Sequence, residues 1–121
     1  MITPWQETGV HYILNGRTKQ QMPLYFQLYE DFKANEKKFN IQNACQRMHQ
    51  ASLIVHGTED PAVPTSAAKE LSAWHSNSEL VLIEGANHVF GGSHPYNEEN
   101  LPGHTLTLVG KTIEFLSKKI P

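Results

Sequence analysis

The chain has 121 residues, 39% of them hydrophobic and 18% charged, a balance that fits one soluble globular domain, or part of one, and not a disordered protein. A formal net charge of −2 supplies no basic field for nucleic acid or for an anionic membrane. No apolar run approaches the roughly 20 residues of a membrane span, residues 1–7 lack the basic region and apolar core of a secretory signal, and the single Cys45 excludes an internal disulfide and suits a reducing, cytoplasmic compartment.

In chain order, Val10, His11, Tyr12, Ile13 and Leu14 form a short strand candidate that runs into the tight-turn dipeptide Asn15-Gly16. Pro23 then opens an expected helix in which Leu24, Leu28 and Phe32 recur on one face, with Tyr25 and Tyr29 beside the stripe. Asn40 is placed to cap a second short helix carrying Ile41, Ala44, Cys45 and Met48 on one side. These first residues form a small irregular segment, 1–49.

From residue 50 the pattern sharpens. Residues 51–55, Ala-Ser-Leu-Ile-Val, are a continuous apolar run stopped by His56-Gly57, as expected of a strand buried on both faces. Thr65 or Ser66 is the expected cap of a helix whose Ala67, Ala68, Leu71 and Trp74 share a face. Residues 80–83, Leu-Val-Leu-Ile, form a second apolar strand before Gly85. Strand, helix and strand at this spacing predict a parallel βαβ unit with a right-handed crossover. A loop rich in Gly, Pro, Asn and Glu follows. Leu106, Val109, Ile113, Leu116 and Ile120 then mark the apolar stripe of a terminal helix.

Ligands in open parallel sheets sit outside the carboxyl ends of the strands. Asp60 lies just past one such end and His88 just past the next, and neighbouring strands are only about 5 Å apart. A carboxylate accepting from the imidazole Nδ1–H would fix the ring's tautomer and stabilise the imidazolium formed when Nε2 takes a proton. Two plainer readings stand beside this one. Asp60 with Pro61 is ordinary turn chemistry, and His88 alone reads as a loop histidine.

At these residues the chain resembles a family. The run from His56 to Pro64, His-Gly-Thr-Glu-Asp-Pro-Ala-Val-Pro, followed by Glu-Gly-Ala-Asn-His-Val-Phe-Gly-Gly at 84–92, is similar to the C-terminal third of an α/β-hydrolase. The nearest flavour is the dienelactone-hydrolase and prolyl-oligopeptidase-like branch of serine hydrolases. The resemblance covers residues 50–119 and extends, more weakly, to residues 10–31. It implies a partial α/β-hydrolase fold, with Asp60 as the acid and His88 as the base of a catalytic triad in the order nucleophile, acid, base. Glu59 is the alternative acid, but the family's Gly-x-x-Asp spacing from Gly57 falls on Asp60.

The departure is equally specific. No Gly-x-Ser-x-Gly elbow precedes Asp60. Ser93 lies in a half-matching Gly-Gly-Ser-His-Pro run after His88, in the wrong order. Ser52 precedes its strand, and Cys45 sits on an expected helix as a small apolar residue. His88, His94 and His104, with Glu98 and Glu99 between them, lack metal-site spacing, so no metal and no cofactor is expected. Tyr25, Phe26, Tyr29 and Trp74 read as core, and Arg17, Lys19 and Lys33 as solvated surface.

The chain is therefore read as one incomplete α/β domain, 1–121, with residues 50–121 carrying acid and base. Its expected function is that of the C-terminal part of a serine hydrolase acting on an ester, thioester or peptide, inactive alone. The rival reading is a non-catalytic remnant that binds a missing N-terminal half, or itself, through an open sheet edge.

Overall fold

A computed structural model describes residues 2–119, which fall into two compact units divided between Ile41 and Gln42. In the first, helix α1 (Ile2–Thr8) leads into an antiparallel hairpin of β1 (Val10–Leu14) and β2 (Gln21–Tyr25), followed by helix α2 (Gln27–Ala34). Its centre is aromatic. Phe26 is buried, Trp5 meets it edge-on with ring centroids 5.3 Å apart, and Tyr29 lies 5.3 Å from Phe26 and 6.4 Å from Trp5, so the three rings cluster together. The Trp5 indole N–H donates to the Leu24 carbonyl at 2.8 Å, so the ring's one polar atom is satisfied.

Two expectations for this segment are corrected. Pro23 does not open a helix; it lies inside β2, opposite Tyr12. The Phe26 N–H bonds the Gly9 carbonyl and the Asn15 N–H bonds the Gln20 carbonyl. Antiparallel alternation then makes Tyr12 and Pro23 a non-hydrogen-bonded pair, where the N–H that proline lacks would point away from the partner strand. The helix begins instead at Gln27, with Leu28 and Phe32 exposed and Tyr29 turned inward. The turn after β1 spans residues 15–20 rather than two residues, because the Asn15 side chain accepts from both the Arg17 and Thr18 N–H groups.

The second unit contains all but the first residue of α3 (Ile41–Arg47), then β3 (Ser52–Gly57), α4 (Thr65–Trp74), β4 (Ser78–Ile83) and α5 (Gly103–Lys119). Strands β3 and β4 pair in parallel from Ser52 opposite Ser78 to Gly57 opposite Ile83, so a mixed helix–strand unit with a parallel two-stranded sheet is present. Helices α4 and α5 each pack on both strands. Ala68, Ile83, Ala86 and Phe115 form the buried apolar centre. Among the described residues no further strand pairs with either edge of this sheet. No described helix is long and apolar enough to cross a membrane.

Both ends of the strand pair are tied. At the amino end, buried His75 places Nε2 3.0 Å from the Gln50 carbonyl and 2.9 Å from Ser52 Oγ, and the Asn77 side chain donates to the His49 carbonyl at 2.8 Å. Helix α4 takes Pro64 at its cap position with no side-chain cap. Thr65, expected there, is the first helical residue, because Pro64 supplies an extended backbone and cannot itself continue the helix backwards.

Helix α5 is present but faces a different way from its expected stripe. Phe115 is its buried residue, with Leu108 and Thr112 half-buried on the same side. Leu106, Val109, Ile113 and Leu116 are exposed, Ile113 by 58%. At 100° per residue that stripe lies about 120° round the helix from Phe115 and Leu108. The helix is thus apolar on two sides and packed on one. Ile120, the stripe's last expected member, lies outside the described residues.

Candidate functional site: a buried carboxylate and an open imidazole

The carboxyl ends of β3 and β4 approach so closely that a side chain at Gly57 has no room. A Cβ there would sit 2.1 Å from the Ala86 carbonyl oxygen and 2.6 Å from its carbon. Glycine is required at this position by contact with backbone. The two outgoing loops are then laced together. Thr58 N–H donates to the Ile83 carbonyl and Glu59 N–H to the Ala86 carbonyl, both at 3.0 Å. Gly85 N–H donates to Thr58 Oγ1 at 2.8 Å, with Gly85 itself at φ +69, a conformation that favours glycine.

That lacing brings Asp60 and His88 together. His88 Nδ1 lies 2.8 Å from Asp60 Oδ2, across 28 residues of sequence. The Asp60 side chain is only 5% exposed, while that of His88 is 57% exposed. Oδ1 of Asp60 is separately occupied, accepting from Ala62 N–H at 2.8 Å and from Val63 N–H at 3.0 Å. Asp60 is therefore a turn residue through one oxygen and a partner of His88 through the other.

The electrostatics follow from these contacts. Burial alone would raise the Asp60 carboxyl, but the Val63 N–H, the His88 ring and the Ala62 N–H together outweigh it and lower the pKa to about 2. Asp60 is ionised at neutral pH and can only accept. The hydrogen in the Asp60–His88 bond is therefore on Nδ1, which leaves Nε2 as the basic nitrogen of the neutral ring. No hydrogen-bond partner occupies Nε2 among the described residues. An oriented imidazole with an open basic nitrogen can take a proton from a hydroxyl or from water and return it to a leaving group.

The loop beyond His88 is organised by its neighbour. Asn87 Oδ1 accepts from Val89 N–H at 3.2 Å and Gly91 N–H at 2.9 Å. Thr105, at the start of α5, donates through Oγ1 to the Phe90 carbonyl at 2.9 Å, fastening the loop to the helix. A cavity of about 540 Å³ lies farther along this loop, between Ser93, Tyr96, Glu98 and Pro102, and His88 is not among its lining residues.

The remaining residues weighed from the sequence are not brought to the couple. Glu59 is exposed and bonds the opposite loop through its backbone N–H. Ser93 Oγ donates to the Pro95 carbonyl, and Cys45 is a half-buried thiol on α3. Ser52 does touch an imidazole, that of His75. The Gln50 carbonyl can only accept, so His75 Nε2 carries its proton toward that carbonyl and cannot act as a base on Ser52. Among the described residues no three His, Cys, Asp or Glu side chains come together in a metal-binding group, so His88, His94 and His104 are not assembled as one.

Sequence reasoning passed over His56, Thr58 and Asn87. His56 Nε2 donates to the Val63 carbonyl at 3.0 Å and stands 3.8 Å from Asp60 Oδ2. Its position four residues before Asp60, at the end of an otherwise apolar strand, was the available signal. Neither a protein-family model nor a curated protein matches this sequence.

Proposed function

We propose that the chain is the acid- and base-bearing C-terminal part of a serine hydrolase with a partial α/β-hydrolase fold, acting on an ester, thioester or peptide once a nucleophile is supplied. The observation that carries this reading is the 2.8 Å contact between His88 Nδ1 and Asp60 Oδ2 at the carboxyl ends of two adjacent parallel strands. His88 Nε2 would take the serine hydroxyl proton as the oxygen attacks the carbonyl carbon, then deliver it to the leaving group as the tetrahedral intermediate collapses. Water would repeat the sequence on the acyl-serine. Asp60, held ionised, keeps the ring in the required tautomer and stabilises the imidazolium. The lone Cys45 supports a reducing, cytoplasmic setting for this chemistry.

Complementation tests the reading. The N-terminal portion of a related hydrolase, bearing its Gly-x-Ser-x-Gly elbow, is co-expressed with or fused to this chain and assayed for ester cleavage. Activity that requires that serine, His88 and Asp60 is the expected result. A well-folded complex with the three groups in contact and no cleavage would overturn it.

One observation favours a second reading, a non-catalytic remnant that associates with itself or with another chain. The exposed face of Leu106, Val109, Ile113 and Leu116, together with the edges of β3 and β4 that no other described strand pairs, is a surface that a partner would cover.

A further inference from the structure

Asp60 faces His88 through one oxygen, but the turn that presents it is fastened by a residue on the strand itself. His56, next to last in β3, has a side chain only 13% exposed. Its Nε2 lies 3.0 Å from the Val63 carbonyl. A carbonyl oxygen only accepts, so Nε2 carries the hydrogen whatever the state of Nδ1. The N–H of that same Val63 donates to Asp60 Oδ1. The links therefore run in sequence: β3 holds His56, His56 holds the Val63 carbonyl, the Val63 N–H holds Asp60 Oδ1, and Asp60 Oδ2 meets His88.

Packing does not do this work. Pro61, Ala62 and Val63 are all exposed, so no buried side chain anchors residues 61–63. The 3.8 Å between His56 Nε2 and Asp60 Oδ2 is too long for a hydrogen bond, so His56 does not compete with His88 for that oxygen.

We propose that His56 is a positioning residue for the Asp60–His88 couple: by holding the Val63 carbonyl, its Nε2–H fixes the 60–63 turn and thereby the direction in which the Asp60 carboxylate faces the imidazole. The inference concerns the couple itself and does not depend on the hydrolytic role proposed for it.

Glutamine and asparagine separate this role from simple space-filling. The glutamine Nε2 is as many bonds from Cα as the histidine Nε2, whereas the asparagine amide is one bond short and cannot reach the Val63 carbonyl. The full chain and its His56→Gln and His56→Asn variants are compared by NMR. The Asp60 carboxylate carbon is followed as a function of pH, the His88 ring nitrogens report the tautomer, and amide exchange is read at Ala62, Val63 and along β3 and β4. In His56→Gln the Asp60 midpoint and the His88 Nδ1–H signal stay as in the unsubstituted chain. In His56→Asn the midpoint rises by about one pH unit, the Nδ1–H signal is lost, and Ala62 and Val63 lose protection while the strand amides keep theirs. An asparagine variant that titrates like the parent overturns the proposal, and so does a glutamine variant that changes as much as the asparagine one. Loss of protection throughout β3 and β4 in His56→Asn also overturns it, since His56 would then be a general structural residue. None of these readouts uses turnover, so a failure here is distinct from a failure of the hydrolase reading.

Discussion

Substituting Gly57 by alanine probes whether the strand-end contact assembles the couple. The added methyl group would stand 2.1 Å from the Ala86 carbonyl oxygen and 3.0 Å from the Ala86 Cβ. Restoring an ordinary carbon–oxygen separation requires the Ala86 backbone to retreat by about 1 Å. Both obstructing backbone atoms belong to a fully buried residue, so no flexible side chain can absorb the movement. The Glu59–Ala86 bond, 3.0 Å long, is lost directly, and the Asp60–His88 bond would stretch from 2.8 Å past hydrogen-bonding range. Overpacking of this severity costs about 3 kcal/mol. For a domain of this size that corresponds to a melting temperature lower by about 12–24 °C. The assay pairs thermal unfolding with the NMR signal of the His88 Nδ1–H. Gly110→Ala is the control, because that glycine lies inside α5 with open space around its missing Cβ and should gain about 0.5–1 kcal/mol. A Gly57→Ala chain that melts within a degree or two of the parent and keeps its His88 signal would refute the reasoning.

Acid should weaken the second unit in a defined window. The Asp60 pKa falls from 3.8 to about 2 on folding, so its contribution to stability is complete above pH about 4 and is lost as the pH drops toward 2; Asp60→Asn should flatten that part of a stability–pH curve, measured by urea unfolding. In a complemented enzyme, the same Asp60→Asn change should lower kcat by about 10⁴, the size expected when the acid of a triad loses its charge, and a negligible effect would reduce Asp60 to its turn role. The chain alone should neither label with a fluorophosphonate probe nor cleave a p-nitrophenyl ester in a His88-dependent way. Ile113→Glu, on the exposed stripe of α5, should reduce self-association in light scattering without lowering the melting temperature, since its side chain is already largely in solvent.

The parallel strand pair was legible because apolar runs bounded by Gly57 and Gly85 leave few alternatives to strands, but the expected burial on both faces is not met: most of their side chains are half-buried, and Leu82 is exposed. The orientation of α5 was not. A stripe of Leu106, Val109, Ile113 and Leu116 announces an apolar face, and Phe115 with Leu108 announces another; periodicity cannot say which one meets the sheet. Packing chose the face with the single large aromatic. Pro23 misled for a related reason. Proline at a helix start is common, but proline at a non-hydrogen-bonded position of a two-stranded ribbon is equally free of cost, and only the register with Tyr12 distinguishes them.

The site was read from the sequence as a choice between a turn and an acid–base couple, and the geometry makes that choice unnecessary. A carboxylate has two oxygens. In Asp60 one closes the turn with Ala62 and Val63, and the other receives His88. The turn contacts add to the couple's electrostatics, because N–H donors on Oδ1 favour the ionised form and an ionised Asp60 obliges the His88 hydrogen to sit on Nδ1. Signals of this kind are invisible to motif spacing, which counts residues and not oxygens. The same applies to Gly57: its spacing from Asp60 carries the family resemblance, yet its physical function is to let two backbones approach closer than any side chain permits. That close approach brings the two loops within reach of each other, and the turn contacts of Asp60 with Ala62 and Val63 then set the carboxylate that meets His88.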